Sequence, residues 1–179
     1  MKLCLGVGPF PIHPQHLEVM TDLSEWTLVD LHVKDSRITN WDATKLPLEN
    51  ETVDTIYASH LLEHIPHVEV PHVLRHWYRL LKPGGSLILN VPNLLWALHR
   101  VEEYETGVPL DGYYYDWKGE HGILSVIFGS QSHEGEYHKS AFTPLSLKMQ
   151  LIDTGFESVN IKSYVDGHDM GILFAKAIK

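Results

Sequence analysis

One cysteine, Cys4, in 179 residues excludes any intrachain disulfide and any metal centre built on several thiolates. A lone thiol also suits a reducing compartment. No apolar run approaches the roughly 20 residues that a membrane-spanning helix needs. Met1, Lys2 and Leu3 lead straight into a strand-like segment, without the charged, apolar and small-residue order of a secretory signal. The expectation is a cytoplasmic protein with no membrane partner. Basic residues are few as well: 14 Lys and Arg stand against 23 Asp and Glu, for a formal charge of −9. No basic run or patch is visible, which disfavours a nucleic-acid substrate. Repeats, low-complexity tracts and linkers are absent too, so residues 1–179 are expected to form one domain with a buried core.

Histidine is abundant, with 13 residues. The charge can therefore change considerably between about pH 7 and pH 6, although compositional bias is the plainest explanation of the number.

Strong patterning begins at Trp41 and runs to Asn93. Val70, Val73, Leu74, Trp77 and Leu81 fall on one helical face, with His72, Arg75, His76 and Arg79 opposite. Arg79 and Lys82 suit the negative pole of the helix dipole, and Pro83-Gly84-Gly85 stops the helix. Apolar runs at residues 53–58 and 86–91 flank it, giving a parallel βαβ unit whose sheet needs cover on both faces. Further strands are expected at residues 3–5, 26–29, 37–40, 158–165 and 172–178. Helical character runs from Leu94 to Tyr104. A second helix has Thr143 as its cap, Pro144 in its first position and Gly155 just past its end. Residues 105–135 hold Gly, Tyr and His without a sustained period, and about 100–135 reads as a variable lid or substrate segment.

Gly6-Val7-Gly8 follows the first strand, where glycines let backbone approach a ligand at the carboxyl edge of an open sheet. The third glycine of a dinucleotide fingerprint is missing, and Pro9, Pro11 and Pro14 prevent a regular helix there. A nucleotide-binding oxidoreductase is therefore disfavoured.

Five spaced elements together resemble the class I methyltransferases that use S-adenosylmethionine (SAM), and more narrowly their small type-11-like group. These are residues 2–9, the acidic strand end Val29-Asp30, residues 42–47, Tyr57 to His64, and Leu81-Lys82-Pro83-Gly84-Gly85. Weaker likeness continues at residues 137–142 and 151–156. The resemblance implies a Rossmann-like α/β fold with a mostly parallel seven-stranded sheet and an antiparallel last strand. It also implies SAM as cofactor, and methyl transfer to a small-molecule or sugar-like acceptor. Two departures stand out: Cys4 occupies a place where many relatives have an acid, and only about eighteen residues, with three prolines, replace a full first helix. A shortened helix would bare one flank of the sheet, leaving room for a homodimer contact or a weakened cofactor site. A binding or partner subunit that keeps the fold without catalysis is thus a second reading.

Carried onto this sequence, the resemblance places Gly6, Val7 and Gly8 along the cofactor, Asp30 with Leu31 at the ribose hydroxyls, and Asp42 with Ala43 at the adenine. The alternatives are an ordinary loop Asp30 and a turn-capping Asp42, with Trp41 in the core. Ser59 and His60 would lie beside the transferred methyl. His60, Glu63 and His64 are spaced i, i+3, i+4, which puts them on one face if a helix starts there. They read foremost as support for the pocket, then as packing and capping, and least as a divalent metal site completed by His121, His133 or His138, so no metal is expected. Where an acceptor must lose a proton, His60 is the first candidate base, followed by His138 and His121. Tyr113, Tyr114, Tyr115 and Trp117 are candidates for stacking on an aromatic or sugar-like acceptor, although a tyrosine-rich loop is as often a partner surface or lid packing.

Overall fold

In the computed structural model, which describes residues 1–107, 123–166 and 170–179, six strands form one sheet in the order β2-β1-β3-β4-β6-β5. They are β1 (Lys2–Leu5), β2 (Trp26–Val29), β3 (Val53–Ser59), β4 (Leu81–Pro92), β5 (Ser158–Val165) and β6 (Gly171–Ile178). β1 pairs parallel with β2 and β3, and β3 pairs parallel with β4. β6 inserts antiparallel between β4 and β5. This is the Rossmann-like α/β sheet with its expected antiparallel last strand. Among the described residues it has six strands rather than seven, because the expected strand at residues 37–40 shrinks to one parallel bridge, Val29 to Thr39. A tight turn consumes that segment: Asp35 accepts from the Arg37 amide and guanidinium, and its carbonyl accepts from the Ile38 amide.

Helix α1 (Pro14–Val19) is the shortened first helix, α2 (Val70–Leu80) the crossover, and α3 (Leu94–Glu105), α4 (Ile123–Phe128) and α5 (Pro144–Thr154) follow. The stripe predicted on α2 is buried as Val70, Val73, Leu74, Trp77 and Leu80, while Leu81 opens β4, also buried. Period-2 alternation splits the strand side chains between two cores. Leu3, Leu5, Ile56, Ala58, Leu87 and Leu89 meet α2 and α5 on one face. Cys4, Leu28 and Tyr57 meet Val7, Ile12, Met20 and Ile38 on the other. The flank expected to be bare at β1–β3 is therefore filled, because irregular chain around α1 sends Ile12, His16 and Met20 inward in place of a long helix.

Trp77 is wholly buried, and its indole N–H, costly to leave unpaired, donates to the Ala43 carbonyl at 2.8 Å. Packing of α2 thereby fixes the turn after Asp42. Thr143 and Ser146 form a reciprocal capping box on α5, and Gly155 closes that helix in the left-handed conformation.

His16, only 8% exposed, lies edge-on to Tyr57 beside the Cys4 thiol. Burial first, then the neighbouring His13 and His60, pull its pKa down from the usual 6.5 to about 4. The folded protein keeps this ring neutral where an unfolded chain would take up a proton.

Thr143→Ala removes the cap of α5 and is expected to lower stability by about 1 kcal/mol, read as a shifted urea midpoint with an unchanged slope. Stability should also fall as pH drops from about 6.5 to 4, by on the order of 2–3 kcal/mol at the low end, with no His16 contribution above that window. His16→Asn is expected to flatten that dependence in urea titrations across the same range.

Candidate active site

Chain order reverses at β1: β2 lies on one side and β3 on the other, so the loops after these strands diverge and leave a crevice at the carboxyl edge. A cleft of about 1160 Å³ occupies it. Gly6 and Val7 donate their amides to the Val29 carbonyl at 2.8 and 3.3 Å, bending the loop after β1 over the end of β2. Gly6 and Gly8 have φ of +67° and +72°, the left-handed region in which a Cβ is strained. A Cβ on Gly6 would stand 3.1 Å from Leu61 Cδ1, whereas at Gly8 nothing among the described residues lies within 4 Å, leaving an open backbone cradle.

Asp30 fastens the cradle from below. One carboxylate oxygen accepts from the Gly8 amide at 3.1 Å, and the other from the His32 and Val33 amides at 2.9 and 3.1 Å. Near this clamp sits Cys4. Burial, then Asp30, pushes its thiol up to about 12, so it is a neutral, fully buried filler.

Asp42 caps the turn Ala43–Lys45, accepting from the Thr44 amide and hydroxyl at 2.8 and 2.7 Å. It lines the cleft as well, together with Ala43 and Trp41, whose indole also packs on the core. Capping and cleft placement thus coexist in one residue.

Ser59 ends β3 and His60 follows it. His60 adopts φ +51°, and its amide donates to the Asn90 carbonyl at 2.9 Å. The following residues form a 3-10 turn, Leu62–His64, so the expected single face is split. His60 and His64 reach the cleft, whereas Glu63 turns beneath it with its side chain 1% exposed. His60 Nδ1 stands 3.2 Å from Glu63 Oε1. Burial opposes both charges, but each partner outweighs it: His60 is raised above its usual pKa, with help from Asp166, and the Glu63 carboxyl is lowered.

All nine residues assigned to the cofactor, Gly6, Val7, Gly8, Asp30, Leu31, Asp42, Ala43, Ser59 and His60, line this one cleft. His138, the second candidate base, does not. It lies behind Glu63 on a separate small cavity, ring against ring with His64 at 5.0 Å. His121, Tyr113, Tyr114, Tyr115 and Trp117 fall outside the described residues. The sequence reading missed His13, His16, His32, Glu136 and Asp166 as lining residues, and weighed His133 only as a metal ligand. His16 lies on the six-residue α1 and Glu136 on a 3-10 turn, both too short for a periodic signal, and the others lie on irregular loops. Histidine number was the available clue, since six of the 13 line the cleft, which argues against simple compositional bias.

Gly6→Ala is expected to cost about 1–2 kcal/mol in urea unfolding from its left-handed backbone, and to displace Leu61 beside His60. A Gly6→Ala protein with unchanged stability would remove that reading of the loop.

Residues 15–89, somewhat under half of the chain, match the family model for a methyltransferase domain. No curated protein matches the sequence. Among solved structures, a SAM-dependent methyltransferase from Archaeoglobus fulgidus superposes with a TM-score of 0.63 at 16% identity, over 99% of this chain and 85% of that one. The Burkholderia thailandensis 1,6-didemethyltoxoflavin-N1-methyltransferase, bound to 1,6-didemethyltoxoflavin and S-adenosylhomocysteine, gives 0.63 at 16% identity over 99% and 70%. Haemonchus contortus phosphoethanolamine N-methyltransferase 2, in complex with SAM, gives 0.60 at 15% over 99% of this chain and 48% of its own, so this chain spans about half its length. At these identities the likeness is one of fold.

Proposed function

We propose, from the premise that this chain carries the methyltransferase domain of the SAM-dependent class I fold, that it transfers a methyl group from SAM to a small-molecule or sugar-like acceptor. The observation that carries the reading is the convergence of the Gly6–Gly8 cradle, Asp30, the Asp42 turn and His60 on one cleft at the point where strand order reverses. The donor set fits the cofactor. Two carboxylates, Asp30 and Asp42, line the cleft and can accept from the hydroxyl and amino donors of a nucleoside, and an open glycine backbone lines it with them.

Bound SAM supplies a methyl on a positively charged sulfonium, already activated for displacement. The chain's own work is alignment. Asp30, whose oxygen bonded to the Gly8 amide alone keeps an acceptor site, would hold a ribose hydroxyl with Leu31 beside it; Asp42 and the Ala43 amide would hold the adenine; Gly6, Val7 and Gly8 let the backbone close on the ligand. Holding an acceptor in line with the carbon–sulfur bond is worth on the order of 7–11 kcal/mol. Where the acceptor is a hydroxyl, neutral His60 takes its proton, and the Glu63 carboxylate 3.2 Å away stabilises the imidazolium that forms. The Burkholderia enzyme's complex with 1,6-didemethyltoxoflavin supports a small-molecule acceptor, as does the charge of −9 against a nucleic acid.

Calorimetry with SAM and S-adenosylhomocysteine tests the proposal. Both are expected to bind one per chain, and Asp30→Ala to weaken binding by about 10- to 100-fold through loss of charge-assisted hydrogen bonds. No binding at millimolar ligand would overturn it. Binding with no transfer to any acceptor in a small-molecule panel would favour the subunit reading.

A further inference from the structure

Beneath the cleft the structure leaves one carboxylate in an unusual position. Glu63 is 1% exposed, and among the described residues neither of its oxygens has a hydrogen-bond partner. The His60 nitrogen at 3.2 Å from Oε1 stands at ion-pair distance without hydrogen-bond alignment. A buried carboxylate stripped of water loses several kcal/mol unless a cation or a set of donors replaces the water.

Two imidazoles face the same point. A ligand nitrogen from each of His64 and His138 and an oxygen of Glu63 all lie within 4.8 Å of one another. The Nδ1 of His64 is 3.1 Å from the Tyr137 carbonyl, and the Nδ1 of His138 is 3.1 Å from the Val126 carbonyl. A carbonyl only accepts, so each Nδ1 carries the proton and donates it. Both Nε2 atoms are thereby left with a free lone pair. Metal-binding histidines are ordinarily oriented this way, with the second ring nitrogen donating to a carbonyl or carboxylate.

The scaffold is already rigid around these atoms. The Lys139 and Ser140 amides donate to the Glu63 carbonyl at 2.7 and 3.0 Å, and the Ser140 hydroxyl to the Leu62 carbonyl at 3.1 Å. These bonds tie the turn after β3 to the segment that carries His138, far along the chain. A small cavity of about 10 Å³, bordered by Glu63, His138 and Ser140, adjoins the cluster on one side, and His64 opens onto the cofactor cleft on the other. Room there is on the scale of a single atom.

We propose that Glu63, His64 Nε2 and His138 Nε2 form a binding site for a divalent first-row transition-metal ion, with Zn²⁺ as the best match. Two neutral imidazoles and one carboxylate are the ligand set of open Zn²⁺ sites, whereas Mg²⁺ and Ca²⁺ favour oxygen ligands throughout. Because His64 also lines the cleft, a fourth position would be reachable from there by water or an acceptor oxygen. Glu63 has two oxygens, so one ligates while the other stays with His60, which becomes a positioning residue for the carboxylate.

The site does not rest on the methyltransferase reading, and its test reads metal directly. Untagged protein freed of metal by chelator is titrated with Zn²⁺ by calorimetry and with Co²⁺ by visible absorption. One equivalent per chain is expected, with the intense ligand-field bands of a low-coordinate nitrogen and oxygen site, and a melting temperature that rises with Zn²⁺ but not with Mg²⁺. His138→Gln and Glu63→Gln are expected to weaken binding at least about tenfold and abolish the bands, whereas His99→Ala, an exposed histidine on α3, leaves them unchanged. His64→Asn, on the cleft side, serves as a second variant should a buried substitution unfold the chain, with folding followed by circular dichroism. Absence of stoichiometric Co²⁺ and Zn²⁺ binding to the folded wild type, or Co²⁺ bands that survive in folded His64→Asn and His138→Gln, would overturn the proposal. SAM titrated into the same metal-free sample separates the two readings, because cofactor binding there stands or falls without the ion.

Discussion

The Asp30 carboxylate is the constraint on which the cleft depends. It accepts three backbone N–H groups from two loops, the one after β1 and the one after β2, and so converts two flexible strand exits into one fixed wall. A parallel sheet makes such exits available, because every one of its strands ends at the same edge. Charge-assisted bonds to amides are stronger than neutral ones, so this carboxylate holds the Gly6–Gly8 loop open over the sheet without help from a long following helix. That is how the chain keeps a binding edge although α1 is only six residues.

The opposite wall has a different origin. Trp77, from the buried stripe of α2, reaches through the core to the Ala43 carbonyl, so the position of Asp42 is set by helix packing rather than by its own loop. At the base, His60 is held by the Asn90 carbonyl of β4 and by Glu63 beneath it. Each wall of the cleft is therefore tied to an element outside it.

Much of this was legible in the chain. Period-3.6 apolar spacing marked α2 almost to the residue, Thr143-Pro144 and Gly155 bounded α5, and the alternating runs marked five of the six strands closely. The sixth, β4, begins at Leu81, earlier than its apolar run suggests, because Leu81 already pairs with Val53 and the Pro83-Gly84-Gly85 turn is taken up as a register shift before Ser86 pairs with Thr55. The strand expected at residues 37–40 failed because Asp35 and Arg37 bond to each other within a turn, a side-chain choice that periodicity does not register. The motif residues from Gly6 to His60 were found through the family resemblance, and they converge because a parallel sheet brings the loops after its strands to one edge. His13, His32 and Glu136 were not, since their arrival at the cleft depends on loop paths that no local pattern encodes.

Spacing misled most at His60, Glu63 and His64. An α-helical start would have aimed all three into the pocket, but a left-handed His60 and a 3-10 turn rotate Glu63 inward. One backbone dihedral thus separates two chemistries. On the cleft side an imidazole meets the acceptor site. Beneath it, a dehydrated carboxylate meets His64 and His138, one of three distant histidines that the sequence offered and among which spacing could not choose. The backbone bonds that cross from Glu63 to Lys139 and Ser140 make the juxtaposition a property of the fold, because neither segment can shift without losing the hydrogen bonds that satisfy the other. A carboxylate held under that constraint cannot turn to water, so whatever balances its charge, an imidazolium or a metal ion, is selected by the geometry before any substrate arrives.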